Sequence, residues 1–187
     1  MGRILLVTGG ARSGKSRFAE QLIAGMGTNI AYIATARPLD DEMRERIAQH
    51  QLQRPAAWRT FEAPEQPSTV IGEAGAEWDG LLLDCLTVMT TNLILAQPVD
   101  WEHPDVARLA EVEAEVLAEI EAIVSAVAGS RADLVAVTNE VGCGIVPLSP
   151  LSRFFRDCAG RVNQRMAAAA AEVYLVVSGI PVRIKEQ

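Results

Sequence analysis

A strand-like run from Arg3 to Thr8 passes straight into Gly9-Gly10-Ala11-Arg12-Ser13-Gly14-Lys15-Ser16, and no other feature of this sequence constrains its fold as strongly. The octet matches GxxxxGK[ST], the phosphate loop. Its glycines let successive backbone N–H groups turn inward around an anion, and the helix that follows adds the positive end of its dipole. Lys15 is expected to reach the β- and γ-phosphates of a nucleotide, and the Ser16 hydroxyl to help hold Mg²⁺. A chance glycine turn has no reason to sit between an apolar strand and a helix at the head of an α/β pattern.

That pattern continues along the chain. Strands are predicted over Ile30–Thr35, Gly80–Asp84, Asp133–Thr138 and Glu172–Val177, with Ile180–Ile184 returning as a hairpin across Ser178-Gly179. Helices are predicted over Ser13–Gly25, from the acids Asp40-Asp41-Glu42 to about Gln53, over Leu86–Ala96, Asp105–Ala128 and Pro150–Ala171. In the Asp105–Ala128 helix, Val112, Val116, Ile120, Ile123 and Val127 recur at helical spacing and mark its buried face. Pro55–Glu77 is punctuated by prolines and reads as irregular, with room for one helical turn. The expected fold is α/β, a mostly parallel sheet flanked by helices, in a single nucleotide-binding domain spanning residues 1–187.

Charge narrows the partners. The formal net charge is -7 over 187 residues. So acidic a chain is a poor nonspecific ligand for nucleic acid or anionic membranes, and phosphate must be gripped by a few aimed donors. No run is long and apolar enough for a membrane span or a secretory signal core. Cys85, Cys143 and Cys158 show no CxxC spacing and are odd in number. They argue against a disulfide framework or a zinc site, and a cytoplasmic location is expected.

Two strand-end carboxylates complete a phosphate site. Asp84 closes the apolar GLLLD, where a phosphate-loop site wants a Mg²⁺ organiser, and Glu140 follows the Asp133–Thr138 strand in TNEVG. The C-terminal ends of parallel strands line the ligand crevice, so Glu140 is a candidate base or metal organiser. His50 shares a helical face with Met43 and Ile47. Spacing leaves two readings open, a packing histidine beside an apolar stripe or an imidazole nucleophile. Arg12, Arg153, Arg161 and Arg165 are further candidates for phosphate contact, with helix-face solvation or subunit packing the expected use of the last three.

Several blocks, in order, carry a family resemblance: TGGARSGKSRFAE, YIATA, DDEMRERIAQHQLQRP followed by WRT, LLLDCLTVMTTNL, VTNEVGCGIVP and FRDCAGRVNQRMAAAAAEVYLVVSGIPVRIK. Together they resemble the bifunctional adenosylcobinamide kinase/adenosylcobinamide-phosphate guanylyltransferase family over almost the whole chain. The phosphate loop is shared by many families, whereas NEVG, GRVNQR and VSGIP are far more specific. The resemblance implies a RecA-like phosphate-loop fold and a homotrimer with sites between subunits. It also implies two reactions of cobalamin nucleotide-loop assembly. ATP or GTP first phosphorylates the aminopropanol hydroxyl of adenosylcobinamide. GMP from GTP then passes to adenosylcobinamide phosphate through a guanylylated histidine, which falls on His50. Nucleotide contacts are implied at the phosphate loop, at Thr35, Ala36 and Arg37, at Gln51, Leu52, Gln53 and Arg54, at Glu62 and at Asp84. Some members carry a histidine pair where this chain has Gln49-His50, and some carry glutamate where it has Asp84. The alternatives are a plain phosphate-loop kinase of a small alcohol, and a nucleotide-dependent switch or binding protein.

Overall fold

A computed structural model describes the backbone of residues 1–38, 40–74 and 77–186, with the side chains of Glu42, Arg46, His50, Gln53 and Ala74 outside the description. Its strands are β1 (Ile4–Gly9), β2 (Ile30–Ala34), β3 (Arg59–Glu62), β4 (Gly80–Asp84), β5 (Asp133–Val137), β6 (Glu172–Val177) and β7 (Ile180–Glu186). Its helices are α1 (Lys15–Ala24), α2 (Asp41–Gln53), α3 (Pro67–Ala74), α4 (Leu86–Leu95), α5 (Val106–Gly129) and α6 (Pro150–Ala169). One sheet holds the strands in the order β3-β2-β4-β5-β1-β6-β7. Every pairing is parallel except the β6–β7 hairpin.

Alternation along each strand feeds two cores. Ile4 and Leu6 of β1 face a layer formed by α3, α4, α5 and α6, while Leu5 and Val7 face α1. The predicted stripe on α5 is buried throughout, from Val112 to Val127. Helix starts follow capping chemistry: the Asp40 side chain accepts from the Met43 N–H at the head of α2, and Asp105 accepts from Arg108 at the head of α5.

The reading of residues 55–77 is corrected. This segment contains a sixth parallel strand, β3, and the two-turn helix α3. β3 is an edge strand paired on one side only, so most of its side chains are exposed and no apolar alternation announces it. α3 starts at Pro67, whose ring suits the first helical turn, and Glu119 of α5 caps it by accepting from both the Ser68 N–H and hydroxyl.

This topology positions the site. β5 lies between the phosphate-loop strand β1 and the Asp84 strand β4, so the C-terminal ends of β1, β5, β4, β2 and β3 follow one another along a single rim.

Candidate active site

The phosphate loop is a tightly supported turn. A Cβ on Gly9 would lie 2.5 Å from the Val176 carbonyl oxygen and 2.7 Å from the Ser13 hydroxyl, so only glycine fits there. Gly14 has φ +94°, a left-handed conformation that side-chain-bearing residues rarely adopt, and it opens α1. The loop is also braced from outside. Ser178 and Gly179, both at positive φ, turn β6 into β7, and the Gly179 N–H donates to the Ser13 carbonyl at 2.7 Å. The VSGIP block is therefore a buttress for the phosphate loop. Lys15 is largely buried, and its Nζ donates to the Gly10 carbonyl at 3.1 Å.

A second brace explains GRVNQR and TNEVG. Asn163 of α6 donates to the Asn139 carbonyl at 3.1 Å and to Glu140 Oε1 at 3.3 Å, and it accepts from the Thr138 hydroxyl at 2.7 Å. Thr8 donates to the same Oε1 at 2.6 Å, and the Glu140 N–H donates to the Gly9 carbonyl at 3.1 Å. Thr87 of α4 accepts from the Asn139 N–H at 2.8 Å. The end of β5 is thus tied to β1, α4 and α6 by bonds that leave little freedom.

Opposite this wall, α2 closes a cavity of ≈ 460 Å³. Lys15, Ser16, Asp84 and Glu140 line its sheet end, while Met43, Ile47 and Gln51 line it from α2. The Met43/Ile47 stripe therefore serves a cavity wall and is only half-buried. His50 stands on the same helix, immediately before Gln51, and its side chain lies outside the described residues.

Between the walls sits a charged cluster that the sequence reading missed in part. The Tyr32 hydroxyl donates to Asp84 Oδ2 at 2.8 Å, and the Arg54 guanidinium carbon stacks 3.2 Å above the Tyr32 ring centroid. Burial and the Asp84 carboxylate push the Tyr32 hydroxyl far above its ordinary value, so it stays a donor at any physiological pH. Burial likewise raises Glu20, with Arg54 opposing that effect and Asp84 reinforcing it. Arg54 Nε and Nη1 are buried and have no hydrogen-bond partner among the described residues. Arg54 lines the cavity, so these donors of a permanent cation can be offered to an anion bound there. The available sequence signal was a lone tyrosine in the otherwise aliphatic IAYIA, whose buried hydroxyl needs a partner.

The other implied contacts divide. Ala11, Ala36 and Glu62 line the cavity with those above. Thr35 is fully buried behind it: its hydroxyl donates to the Cys85 carbonyl at 2.9 Å and accepts from the Cys85 N–H at 2.8 Å, fixing the Asp84 turn. Arg37 is paired with Glu65, and Leu52 is 86% exposed, outside the wall. The Gln53 side chain lies outside the described residues. Gly9, Gly10, Arg12, Ser13 and Gly14 shape the loop beneath the lining, and the Ser13 hydroxyl is buried with no partner among the described residues. Arg161 pairs with Glu113 at 2.9 Å and Arg153 donates to the Pro147 carbonyl at 3.1 Å, which uses both for packing around α6. Cys85 borders the cavity, but burial pushes its thiol up to about 12, which removes it as a thiolate nucleophile near neutral pH.

The donor set fits Mg²⁺. Ser16 and Asp84 offer hard oxygen ligands on one wall, and Tyr32 occupies only Oδ2 of Asp84. No group of three or more His, Cys, Asp or Glu is arranged for a metal among the described residues. That suits an ion carried in by phosphates and water, held by one or two protein oxygens.

A family model described as cobinamide kinase / cobinamide phosphate guanyltransferase, CobU, matches residues 5–184. The chain is 51% identical over 187 residues to the bifunctional adenosylcobalamin biosynthesis protein CobU of Salmonella typhimurium, covering 97% of this chain and 99% of that protein. It is 50% identical over 182 residues to the protein of the same name from Escherichia coli, with the same coverage. It is 40% identical over 180 residues to the bifunctional adenosylcobalamin biosynthesis protein CobP of Pseudomonas aeruginosa, covering 96% of both.

Proposed function

The chain belongs to the CobU family of bifunctional cobinamide kinases and cobinamide phosphate guanylyltransferases, and from that premise we propose that this cavity serves both transfers, with His50 as the covalent carrier of GMP in the second. The observation that carries this reading is the pairing of Lys15 and Ser16 on one wall with the His50 helix on the other, across a cavity of ≈ 460 Å³. That volume suits a nucleotide and leaves no room for a corrin macrocycle as well. The corrinoid therefore stays outside and sends in only its aminopropanol arm.

In the kinase step, Lys15 and the inward-turned loop amides grip the triphosphate and stabilise charge on the γ-phosphoryl group as it moves. Ser16 and Asp84 would hold Mg²⁺, which would supply charge neutralisation for the phosphates. In the second step, GTP places its β- and γ-phosphates in the same loop. Neutral imidazole of His50 attacks the α-phosphorus, a P–N bond forms, and the bond to the bridging oxygen breaks with pyrophosphate leaving. A phosphate oxygen of cobinamide phosphate then displaces the imidazole. Arg54, with its orphaned donors, holds a phosphate oxygen on the α2 side. Ala36, Gln51 and Glu62 border the remainder of the nucleotide.

The single domain and the homotrimer belong to this proposal. Support for self-association comes from the exposed Ile145, Val146 and Leu148 after TNEVG, and from the exposed Ile180, Val182 and Ile184 of β7. A solution mass of three 20.1 kDa chains by light scattering tests it, and a monomer refutes it. No helix among the described residues is long and apolar enough to cross a membrane. A cytoplasmic location is part of the same proposal, supported by three unpaired cysteines.

The direct test supplies cobinamide with GTP labelled at either the α- or the γ-phosphate. The γ-label is expected in cobinamide phosphate and the α-label in GDP-cobinamide. A protein that transfers only the γ-label is a plain kinase, and one that only hydrolyses GTP is a switch.

A further inference from the structure

The two reactions make different demands on protons. The first acceptor is an alcohol, whose O–H proton must leave as the new P–O bond forms. The second acceptor is a phosphate monoester, already an oxyanion near neutral pH. A general base is needed in one reaction and has nothing to do in the other.

Among the described residues, three carboxylates line the cavity: Glu62, Asp84 and Glu140. Strand order separates them. With strands about 4.8 Å apart, β3 and Glu62 lie roughly 19 Å from β1, and β4 and Asp84 roughly 10 Å. Glu140 follows β5, the immediate neighbour of β1, and its own N–H is bonded to the Gly9 carbonyl of the phosphate loop. Its side chain is aimed. Both described hydrogen bonds, from Thr8 and Asn163, fall on Oε1. Oε2 makes no hydrogen bond or ion pair among the described residues, and the residue is exposed on the cavity wall beside Lys15 and Ser16. One oxygen is clamped, and the residue lines the same cavity as Lys15 and Ser16.

We propose that Glu140 is the general base of the kinase reaction and takes no proton in guanylyl transfer. As the substrate hydroxyl oxygen bonds to the γ-phosphorus, the bond from phosphorus to the β–γ bridging oxygen breaks and its electron pair leaves with the nucleoside diphosphate. The hydroxyl proton passes to Glu140 Oε2 and later to solvent. Thr8 and Asn163 are positioning residues for this carboxylate. The inference rests on the reading that one cavity performs both transfers.

The test is the ratio of the two activities in a single preparation of Glu140→Gln. Gln keeps an acceptor oxygen for Thr8 and Asn163 but accepts no proton. Phosphorylation of cobinamide from γ-labelled ATP is expected to fall at least ~100-fold. Guanylyl transfer from α-labelled GTP to supplied cobinamide phosphate is expected to fall less than about threefold, because that acceptor brings no proton to remove. Parallel loss of both activities in a folded variant assigns Glu140 to supporting the shared loop and overturns the proposal, as does an unimpaired kinase. Should the Gln variant not fold, Glu140→Asp carries the same test: a selective loss of kinase turnover of about tenfold or more is expected, with parallel or no loss again overturning it. A wild-type protein lacking either activity refutes the two-transfer reading itself, a result distinct from all of these.

Discussion

The two walls of the cavity are built to different standards. On the sheet side, the phosphate loop is packed from below by Val176, bonded from the side by Gly179, and joined to TNEVG through Gly9, Thr8 and Asn163. On the other side, none of the described side chains of α2 is buried, and the helix meets the body of the protein at its end through Arg54 stacked on Tyr32. A wall that must hold phosphates in line for every turnover is over-determined. The wall that, on the proposed reading, brings an imidazole to the α-phosphorus in only one of two reactions is lightly held, with none of its described side chains buried. Loss of the triphosphate grip on the braced wall should therefore affect both transfers, changes in α2 the second alone, and loss of the proton acceptor at Glu140 the first alone.

The largest effect is expected from Lys15→Ala. Both phosphoryl and guanylyl transfer should fall by about 10²–10³, since each places a triphosphate against the same cation. Initial rates with cobinamide and with cobinamide phosphate measure this, and selective loss of one would break the idea of a shared wall. Arg54→Ala comes next. Removing a charged donor to phosphate costs about 1.5–3 kcal/mol, or roughly 10- to 150-fold, and the loss should appear in guanylyl transfer well before the kinase reaction. Equal losses would place Arg54 with the braced wall instead.

Asn163→Ala tests the bracing itself. It strips the Thr138 hydroxyl of its acceptor and Glu140 of a donor, which should cost about 1–3 kcal/mol. A chain of this size then loses roughly 2–4 °C of Tm per kcal/mol, read by thermal denaturation. The smallest effect is expected at Glu20. Its folded carboxyl binds a proton more tightly than the unfolded one because burial disfavours its charge. The stability tied to that proton is complete below the unfolded value and is lost as pH rises through the raised folded value. Glu20→Gln should therefore raise Tm slightly at pH 8, and the gain should fade as pH falls through that raised value. A gain that persists at pH 3 would contradict this cause.

Legibility from sequence followed the same division. The braced wall is built on local chemistry: GGARSGKS, the strand-end Asp84 and the Ser178-Gly179 turn announce themselves within a few residues. β4 lies where its apolar run puts it, because a strand buried on both faces reads as a continuous aliphatic stretch, and the half-buried β6 keeps the predicted bounds Glu172–Val177. β3 was hidden because an exposed edge strand needs no apolar code. The work of Asn163 was hidden because its partners lie 23–25 positions away, as was that of Tyr32, 52 positions from Asp84. Thr35 read as a ligand contact, whereas its full burial makes it a clamp on the turn that carries Asp84.

The central claim is that His50 carries GMP between the two substrates. Incubation of the wild-type protein with α-labelled GTP and Mg²⁺, in the absence of corrinoid, is expected to leave an acid-labile label on the chain that chases into product when cobinamide phosphate is added. In His50→Ala that label should be absent while phosphorylation of cobinamide continues. Full labelling of His50→Ala would contradict the account.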